Sequence, residues 1–283
     1  MRLRISFCAV LICAAASLVV AQSATRAIMV TVLGKDGVAL RDLAPGDFIV
    51  QEDGQRREVQ SAALSTEPLA VTLMIDMSRM GGVDLPLRDI RAGMTALAKA
   101  IYADNPESKV ALMDYSGAAV TTVSLTSNGD QLIKATNRLT TSQRAYGVML
   151  EGLVDVAKDI AKVPIQRRAI VAVSFDAPES SRNQPGDVAL AVQKTGAAFW
   201  AVSIGQNTSP LRDVVLENLP PVTGGLRLTA LSPTGLEKML TDIGTALTSQ
   251  YVVTYKVPEG SSATVIQAGA RKGDKVLRAS WMK

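Results

Sequence analysis

The chain has 283 residues, of which 30 are basic and 26 acidic, and it contains two cysteines and no histidine. Without histidine it cannot form a Ser-His-Asp triad, and two cysteines alone cannot build a Cys/His zinc site. The net charge of +4 is small, and the basic residues form no stripe, so we expect no nucleic-acid partner.

Residues 1–21 have the pattern of a secretory signal peptide. Arg2 and Arg4 precede an apolar stretch at 5–20, and small residues lead up to Ala21, after which we expect cleavage. The apolar stretch is short for a bilayer span, so an uncleaved anchor is the less favoured alternative. The sequence therefore predicts an exported protein, periplasmic or extracellular, with no membrane span in its mature chain.

Both cysteines, Cys8 and Cys13, lie in this signal segment. Cleavage leaves 28 basic and 26 acidic residues, so the mature chain has a net charge of +2 and no disulfide. The chemistry that remains available is that of carboxylates, hydroxyls, lysines and oxygen-bound metal ions.

The first part of the mature chain, residues 22–66, is predicted to be a small β unit. Apolar and β-branched residues indicate strands at 28–33, 48–51 and 56–64. Asp-Gly pairs at 36–37 and 53–54 mark turns between them.

Residues 67–249 alternate between predicted strands and helices. This order favours a parallel sheet with right-handed crossovers, which is a doubly wound, Rossmann-like α/β domain with helices on both faces. The predicted strands are 69–75, 109–115, 118–125 (a hairpin partner), 169–175, 198–204 and 226–229, and the predicted helices are 85–102, 129–139, 147–162, 187–195, 212–219 and one that begins at Pro233.

The C-terminal segment, residues 250–283, returns to β structure, with strands predicted at 251–255, 263–270 and 276–281. Two or three strands alone are marginally stable in water. We therefore expect this extension to pack with residues 22–66 as one accessory β unit.

The junction after the first buried strand carries the strongest functional signal. Asp76 and Ser78 follow the strand at 69–75 directly, and ligands of open α/β sheets bind at the carboxyl ends of the strands. A carboxylate and a hydroxyl are oxygen ligands of the kind that Mg²⁺ requires.

This loop resembles the Asp-x-Ser-x-Ser metal motif (MIDAS) of von Willebrand factor A domains, with Met80 in place of the last serine. A Glu-Asp-Gly turn at 52–54, a Gln-Tyr-x-x-x-Tyr segment at 250–255 and a closing basic strand at 275–281 are similar to segments of bacterial secreted VWFA-related proteins. The resemblance covers essentially the whole mature chain. It implies a Rossmann-like A domain that acts as a binding module and not as an enzyme.

The other two loops of the family's metal site also differ from its pattern. The second loop usually offers a threonine, but residues 145–148 contain none, and the nearest hydroxyls are at 140–142. In the third loop Phe175 stands where an aspartate is usual, and Asp176 follows one residue later. A thioether is also a poor Mg²⁺ ligand. The candidate metal ligands are Asp76, Ser78 and Asp176, and Mg²⁺ or Mn²⁺ is the ion that they would bind.

Two metal-free alternatives remain open for this loop. Asp76 and Ser78 would then cap the next helix or bond neighbouring backbone amides. In the second alternative, the Arg79 guanidinium takes the place of the cation beside Asp76.

We predict that a protein partner contacts the C-terminal edge of the sheet, at loops 76–82, 114–117, 140–147 and 176–183. For two of these loops a structural role is the alternative: a hairpin turn at 114–117 and a solvated connection at 176–183. The candidate partner-binding residues are Asp76, Ser78, Arg79, Met80, Asp114, Tyr146, Asp176 and Glu179.

The sequence thus favours an exported, non-enzymatic protein-binding or assembly module with a degenerate, metal-free site. The alternatives are metal-dependent adhesion through a residual site and, less favoured, a metal-assisted hydrolase. No phosphate-binding glycine loop is present, which disfavours nucleotide binding.

Overall fold

The computed structural model describes residues 23–79, 85–206, 209–263, 265–273 and 275–282. The predicted signal peptide and Met80 lie outside these residues. Within them, no helix combines the length and the apolar character that crossing a bilayer would require.

The strands are β1 (Ser23–Leu33), β2 (Phe48–Glu52), β3 (Gln55–Arg57), β4 (Val59–Leu64), β5 (Leu69–Ile75), β6 (Lys109–Asp114), β7 (Val120–Thr126), β8 (Arg167–Ser174), β9 (Ala198–Ile204), β10 (Arg227–Ala230), β11 (Tyr251–Pro258), β12 (Ile266–Lys272) and β13 (Lys275–Met282). The α-helices are α1 (Leu87–Asp104), α2 (Gly129–Asn137), α3 (Met149–Ile160), α4 (Pro185–Gln193), α5 (Pro210–Thr223) and α6 (Leu236–Leu247).

Six strands form the central sheet in the order β10-β9-β8-β5-β6-β7. All neighbours pair in parallel except β6 and β7, which form the predicted hairpin. Every residue of β5 and β9 is buried, as expected for strands covered on both faces. The predicted doubly wound α/β class is confirmed.

Helices cover both faces of this sheet. On one face α1 and α6 pack together, and Ile90, Met94, Leu97 and Ile101 point from α1 into the core at helical spacing. On the other face, α3, α4 and α5 pack against the sheet through their apolar residues, for example Leu153 of α3. The apolar faces of these helices therefore form the two halves of the core of the central domain.

The terminal segments together form a second, seven-stranded sheet in the order β3-β2-β12-β13-β1-β11-β4. Its two edge strands, β3 and β4, are consecutive in the chain and separated only by Glu58. The chain therefore brings the two edges of the sheet together at Glu58, so the sheet is curled and not flat. The N-terminal and C-terminal segments thus form one accessory β unit, as predicted. It has seven strands, whereas the sequence predicted six.

A buried carboxylate lies inside this curled sheet. Glu52 has a fully buried side chain, and its Oε1 accepts hydrogen bonds from Arg26 Nη1 (2.7 Å) and from the Tyr255 hydroxyl (3.0 Å). Arg57 Nε donates to Oε2 at 3.2 Å. Burial alone would raise the pKa of Glu52, but the bonds from Arg26 and Tyr255 and the charges of both arginines outweigh it and lower the pKa.

Arg167 joins the two sheets at the start of β8. Its side chain is fully buried and donates hydrogen bonds to the carbonyl of Glu67, to the carbonyl of Leu247 (2.8 Å) and to Gln250 Oε1 (3.2 Å). These acceptors stand where the chain passes from one sheet to the other. The domain boundaries at 66/67 and 249/250 remain our proposal.

Helix α5 is longer than predicted, because it begins at Pro210 and continues through Pro220 and Pro221 to Thr223. The Thr223 hydroxyl donates to the carbonyl of Leu219 and accepts from the amide of Phe199. Gly224, with a φ of 79°, ends the helix in the left-handed conformation. Pro220 and Pro221 have no N–H group to donate within the helix. The bonds of Thr223 to Leu219 and Phe199 hold the last turn in place against β9.

Candidate functional site

Three loops meet at the C-terminal edge of the central sheet, and they follow β5, β6 and β8. In the parallel register Ile75 lies beside both Asp114 and Val173, so the chain leaves all three strands at the same level. A fourth loop, residues 140–148, precedes α3 and lies across them. Apart from Met80, which lies outside the described residues, the residues predicted from sequence are therefore brought to one edge.

Asp76 lies under this edge, with no exposure to solvent. Its Oδ1 accepts the amide of Ser78 at 2.9 Å, whereas its Oδ2 is buried without a hydrogen-bond partner among the described residues. Gly147 covers the carboxylate so closely that a Cβ there would lie 3.0 Å from Oδ2. Burial raises the pKa of Asp76, although bonds from Ser78 and the charge of Arg212 act in the opposite direction.

Ser78 is also buried, and its hydroxyl donates to the carbonyl of Tyr146 at 2.7 Å. Backbone bonds on either side connect the same two loops, from Arg79 N to the carbonyl of Arg144 (2.9 Å) and from Ser142 N to the carbonyl of Met77 (2.7 Å). The Asp76 loop is therefore fastened to the 140–148 loop by backbone hydrogen bonds.

The 176–183 loop is fastened in the same way. Gly147 N donates to the carbonyl of Pro178, and Ser180 N donates to the carbonyl of Gly147, both at 2.8 Å. Tyr115 is completely buried beneath them, and its hydroxyl donates to the carbonyl of Val173 at 2.7 Å. These contacts seal the end of the sheet above Asp76.

Glu179 turns inward from this loop. Its amide donates to the hydroxyl of Ser209, just before α5, and its Oε1 accepts a hydrogen bond from the Ser181 hydroxyl. Its Oε2 is buried and has no hydrogen-bond partner among the described residues. Burial raises the pKa of Glu179 to about 7, against the lowering effects of the Ser181 bond and the Arg212 charge.

Arg212, in the first turn of α5, is the buried cation of this region. Its side chain has no exposure, and its Nη1 donates to the carbonyl of Ala177 at 2.8 Å. Its positive charge favours the ionised forms of Asp76, Glu179 and Tyr115, because it lowers the pKa of each of them.

Asp114 takes part in a turn within its own loop. Its Oδ1 accepts both the amide (2.8 Å) and the hydroxyl (2.6 Å) of Ser116. Gly117 follows with a φ of 70°, in the left-handed region that favours glycine. These bonds are the hairpin-turn role that the sequence offered as an alternative for this carboxylate.

The remaining predicted residues lie at the surface or near it. Arg79 has an exposed side chain, so it does not form the buried pair with Asp76 that adjacency suggested. Tyr146 is half-buried. Asp176 is exposed, and its carboxylate lies over Gly205, where a Cβ would come within 2.1 Å of Oδ2. Phe175, the residue in the usual aspartate position, is buried in the core.

The resemblance of the Asp76 loop to a MIDAS motif implies an octahedral Mg²⁺. Among the three candidate ligands, all of them described, Asp76 offers an unpartnered oxygen, Oδ2, whereas the Ser78 hydroxyl already donates to a carbonyl and Asp176 lies against Gly205. Among the described residues, no three acidic, histidine or cysteine side chains form a group able to hold a metal. The arrangement does not fit an ion that demands near-ideal oxygen geometry.

The sequence analysis did not identify Arg212, and it included Tyr115 and Gly147 only as members of the loops 114–117 and 140–147. For Arg212 a signal was available, because a cation in the first turn of a helix faces the positive end of the helix dipole. Such a residue requires an acidic partner elsewhere in the fold when it is buried. Tyr115 and Gly147 carry no comparable signal, since their roles depend on how the loops cross.

Comparison with known proteins identifies the architecture. No family model matches the chain, and no curated protein sequence matches it. Among solved structures, one similar to it is proximal thread matrix protein 1 from the mussel byssus with a zinc-occupied MIDAS motif, at 14% identity and a TM-score of 0.55 over 70% of this chain and 49% of that one. The chain thus spans about half the length of the byssus protein.

Two bacterial structures are also similar. The vWF domain of the type V pili tip protein Mfa5 from Porphyromonas gingivalis matches at 13% identity and a TM-score of 0.52, over 65% of this chain and 96% of that one. A von Willebrand factor type A protein from Catenulispora acidiphila matches at 12% identity and a TM-score of 0.53, over 91% of this chain and 71% of that one. At these identities the likeness establishes the fold.

Proposed function

Since the chain has the fold of a von Willebrand factor A domain, we propose that it is an exported, non-enzymatic binding module. It would contact a protein partner through the C-terminal edge of its central sheet. The observation that carries the proposal is the edge itself, where backbone hydrogen bonds hold three loops in one fixed arrangement. Loops held on a rigid scaffold are the usual place for recognition.

This edge offers a surface that a partner can reach. A shallow recess of about 480 Å³ opens beside the fastened loops, and Tyr146, Glu151, Ser180 and Arg182 line it. An aromatic ring flanked by charged and hydroxyl groups suits a protein surface of mixed character.

The similar structures support a role in assembly. The byssus protein is named as a matrix protein and Mfa5 as a pilus tip protein, and both names describe extracellular structures. The signal-like residues 1–21 agree with such a destination. We therefore propose export, to the periplasm or beyond the cell.

Two properties of the site accompany the proposal. Binding would not require Mg²⁺ or Mn²⁺, because the described oxygen donors do not converge on one point. Catalysis is not part of the proposal, because Asp76 lies beneath Gly147 and a substrate could not reach it. A metal-assisted hydrolase would need that carboxylate to face a cavity.

Site-specific photocrosslinking in the cell that exports the protein tests this proposal. A photoreactive residue at Ser180, exposed beside the recess, should give one discrete crosslinked product, and a chelator should not reduce its yield. The control is Glu107, which is also exposed but lies at the opposite end of the sheet, between α1 and β6. Equal yields of the same product from both positions would refute the proposed edge.

A further inference from the structure

We infer that the groove along the outer face of α1 is a second docking surface, which takes an extended, acidic peptide segment of a protein partner. The groove has a volume of about 580 Å³, with α1 as its floor and with Asn137 of α2 and Glu237 of α6 at its two sides. It lies on a helical face of the central domain. The inference therefore does not depend on the proposed contact at the edge of the sheet.

The length of the groove is the first support for an extended ligand. Its floor is lined by residues 88, 91, 92, 95, 96 and 99, which recur every three or four positions and so share one face of α1. At about 1.5 Å per residue, the stretch from Arg88 to Lys99 spans about 16 Å. An extended chain advances about 3.3 Å per residue, so about five residues of a peptide fit along it. A single small anion cannot reach both ends.

The charge of the groove is the second support. Arg88, Arg91 and Lys99 line it, and among the described lining residues Glu237 is the only acid. None of the three cations forms an ion pair with another described residue. Such uncompensated positive charge favours a partner that carries the opposite charge. Carboxylates spaced along a peptide match cations that are spaced along a helix.

The neutral groups of the groove are the third support, because they suit a polypeptide. Asn137 is exposed, and its amide can both donate to and accept from a peptide backbone. The small side chains of Ala92 and Ala96 leave room for that backbone above the middle of α1. None of the described lining residues is aromatic, so the groove offers no platform on which the bases of a nucleic acid could stack.

Fluorescence anisotropy of a labelled hexaglutamate peptide, titrated with the purified protein at low ionic strength, tests the inference. The double variant Arg88→Gln, Lys99→Gln should weaken binding about fivefold, because two exposed ion pairs with the peptide are lost. The matched control is Lys158→Gln, Lys162→Gln, which removes two exposed lysines at the end of α3, on the other face of the sheet, and should leave the affinity unchanged. Glu237→Gln should tighten binding about twofold, since it removes the one repulsive charge.

A further variant separates a shaped groove from a merely basic surface. Ala96→Leu keeps every charge and fills the middle of the groove, so it should also weaken binding, while its thermal unfolding shows that the protein is still folded. The inference is overturned if no saturable binding occurs up to about 1 mM, if the α3 control weakens binding equally, or if Ala96→Leu binds as well as the unchanged protein. Phosphatidylglycerol vesicles are the competing probe. Binding to them that depends on Arg88 and Lys99 and is tighter than binding to the peptide would also overturn it.

Discussion

Replacing Glu179 by glutamine should remove a loss of stability that the protein undergoes as the pH rises. The folded protein holds the pKa of Glu179 at about 7, above the ordinary value of 4.5. Between these values the unfolded chain has lost the proton while the folded chain keeps it. Raising the pH through this window therefore favours unfolding, and the loss is complete above about pH 7.

The size of the effect follows from the difference between the two pKa values. At about 1.4 kcal/mol for each pH unit between them, ionising Glu179 in the folded state costs up to about 3 kcal/mol. Glutamine cannot ionise, and its amide oxygen can still accept the hydrogen bond from Ser181. The variant should therefore gain about 2–3 kcal/mol on the unchanged protein between pH 5 and pH 8.

Urea unfolding at several pH values between 5 and 8 measures this difference. Glu58→Gln is the control, because the Glu58 carboxylate lies at the surface in an exposed pair with Lys256. The Glu179→Gln curve should diverge from that of the unchanged protein as the pH rises, whereas the control curve should run parallel to it. Parallel curves for both variants would refute the idea that Glu179 is buried with a raised pKa.

The other predictions concern the accessory sheet and the fastened loops. Glu52→Ala should cost about 1.5–3 kcal/mol in chemical denaturation, because it removes the shared acceptor of two partly exposed arginines and of the Tyr255 hydroxyl, whereas Glu58→Ala should cost less than about 1 kcal/mol. Since its pKa is lowered, Glu52 contributes fully above the ordinary pKa of glutamate, and acid removes that contribution as the pH falls through the folded value. Ser78→Ala should cost about 1 kcal/mol, because it removes one of the two hydrogen bonds that the carbonyl of Tyr146 accepts, the other coming from the amide of Gly117, and amide exchange at Arg79 should become faster. Equal costs for the two glutamate variants, or unchanged exchange in Ser78→Ala, would contradict these assignments.

Much of the central domain could be predicted because its strands are continuous apolar runs with clear ends. The runs at 69–75 and 198–204 match β5 and β9 residue for residue, and a polar or turn-forming residue, Asp76 or Gly205, ends each of them. Helix α5 was harder, because Pro220 and Pro221 normally signal an end, and only the packing of Thr223 against β9 shows that the last turn persists.

The position of the site in the fold could be predicted from the sequence, but only some of the residues that form it could. Strand order places every loop after β5, β6 and β8 at one edge, which is why Asp76, Ser78 and Glu179 are brought together. The role of Arg212 could not be read in the same way, because its bonded carbonyl lies 35 residues away on a loop whose path depends on three others. Close coverage of Asp76 by Gly147 is likewise a property of the folded loops.

The central claim is that the binding edge works without a metal ion. The most direct test is to titrate Mg²⁺ and Mn²⁺ into metal-stripped residues 22–283 and to measure the heat of binding by calorimetry. Asp76→Ala is the control, because it removes the candidate ligand whose Oδ2 is buried without a hydrogen-bond partner among the described residues. We predict no saturable heat from either ion in either protein. Saturable binding that disappears in Asp76→Ala would contradict the account and would show that the loops still assemble a cation site.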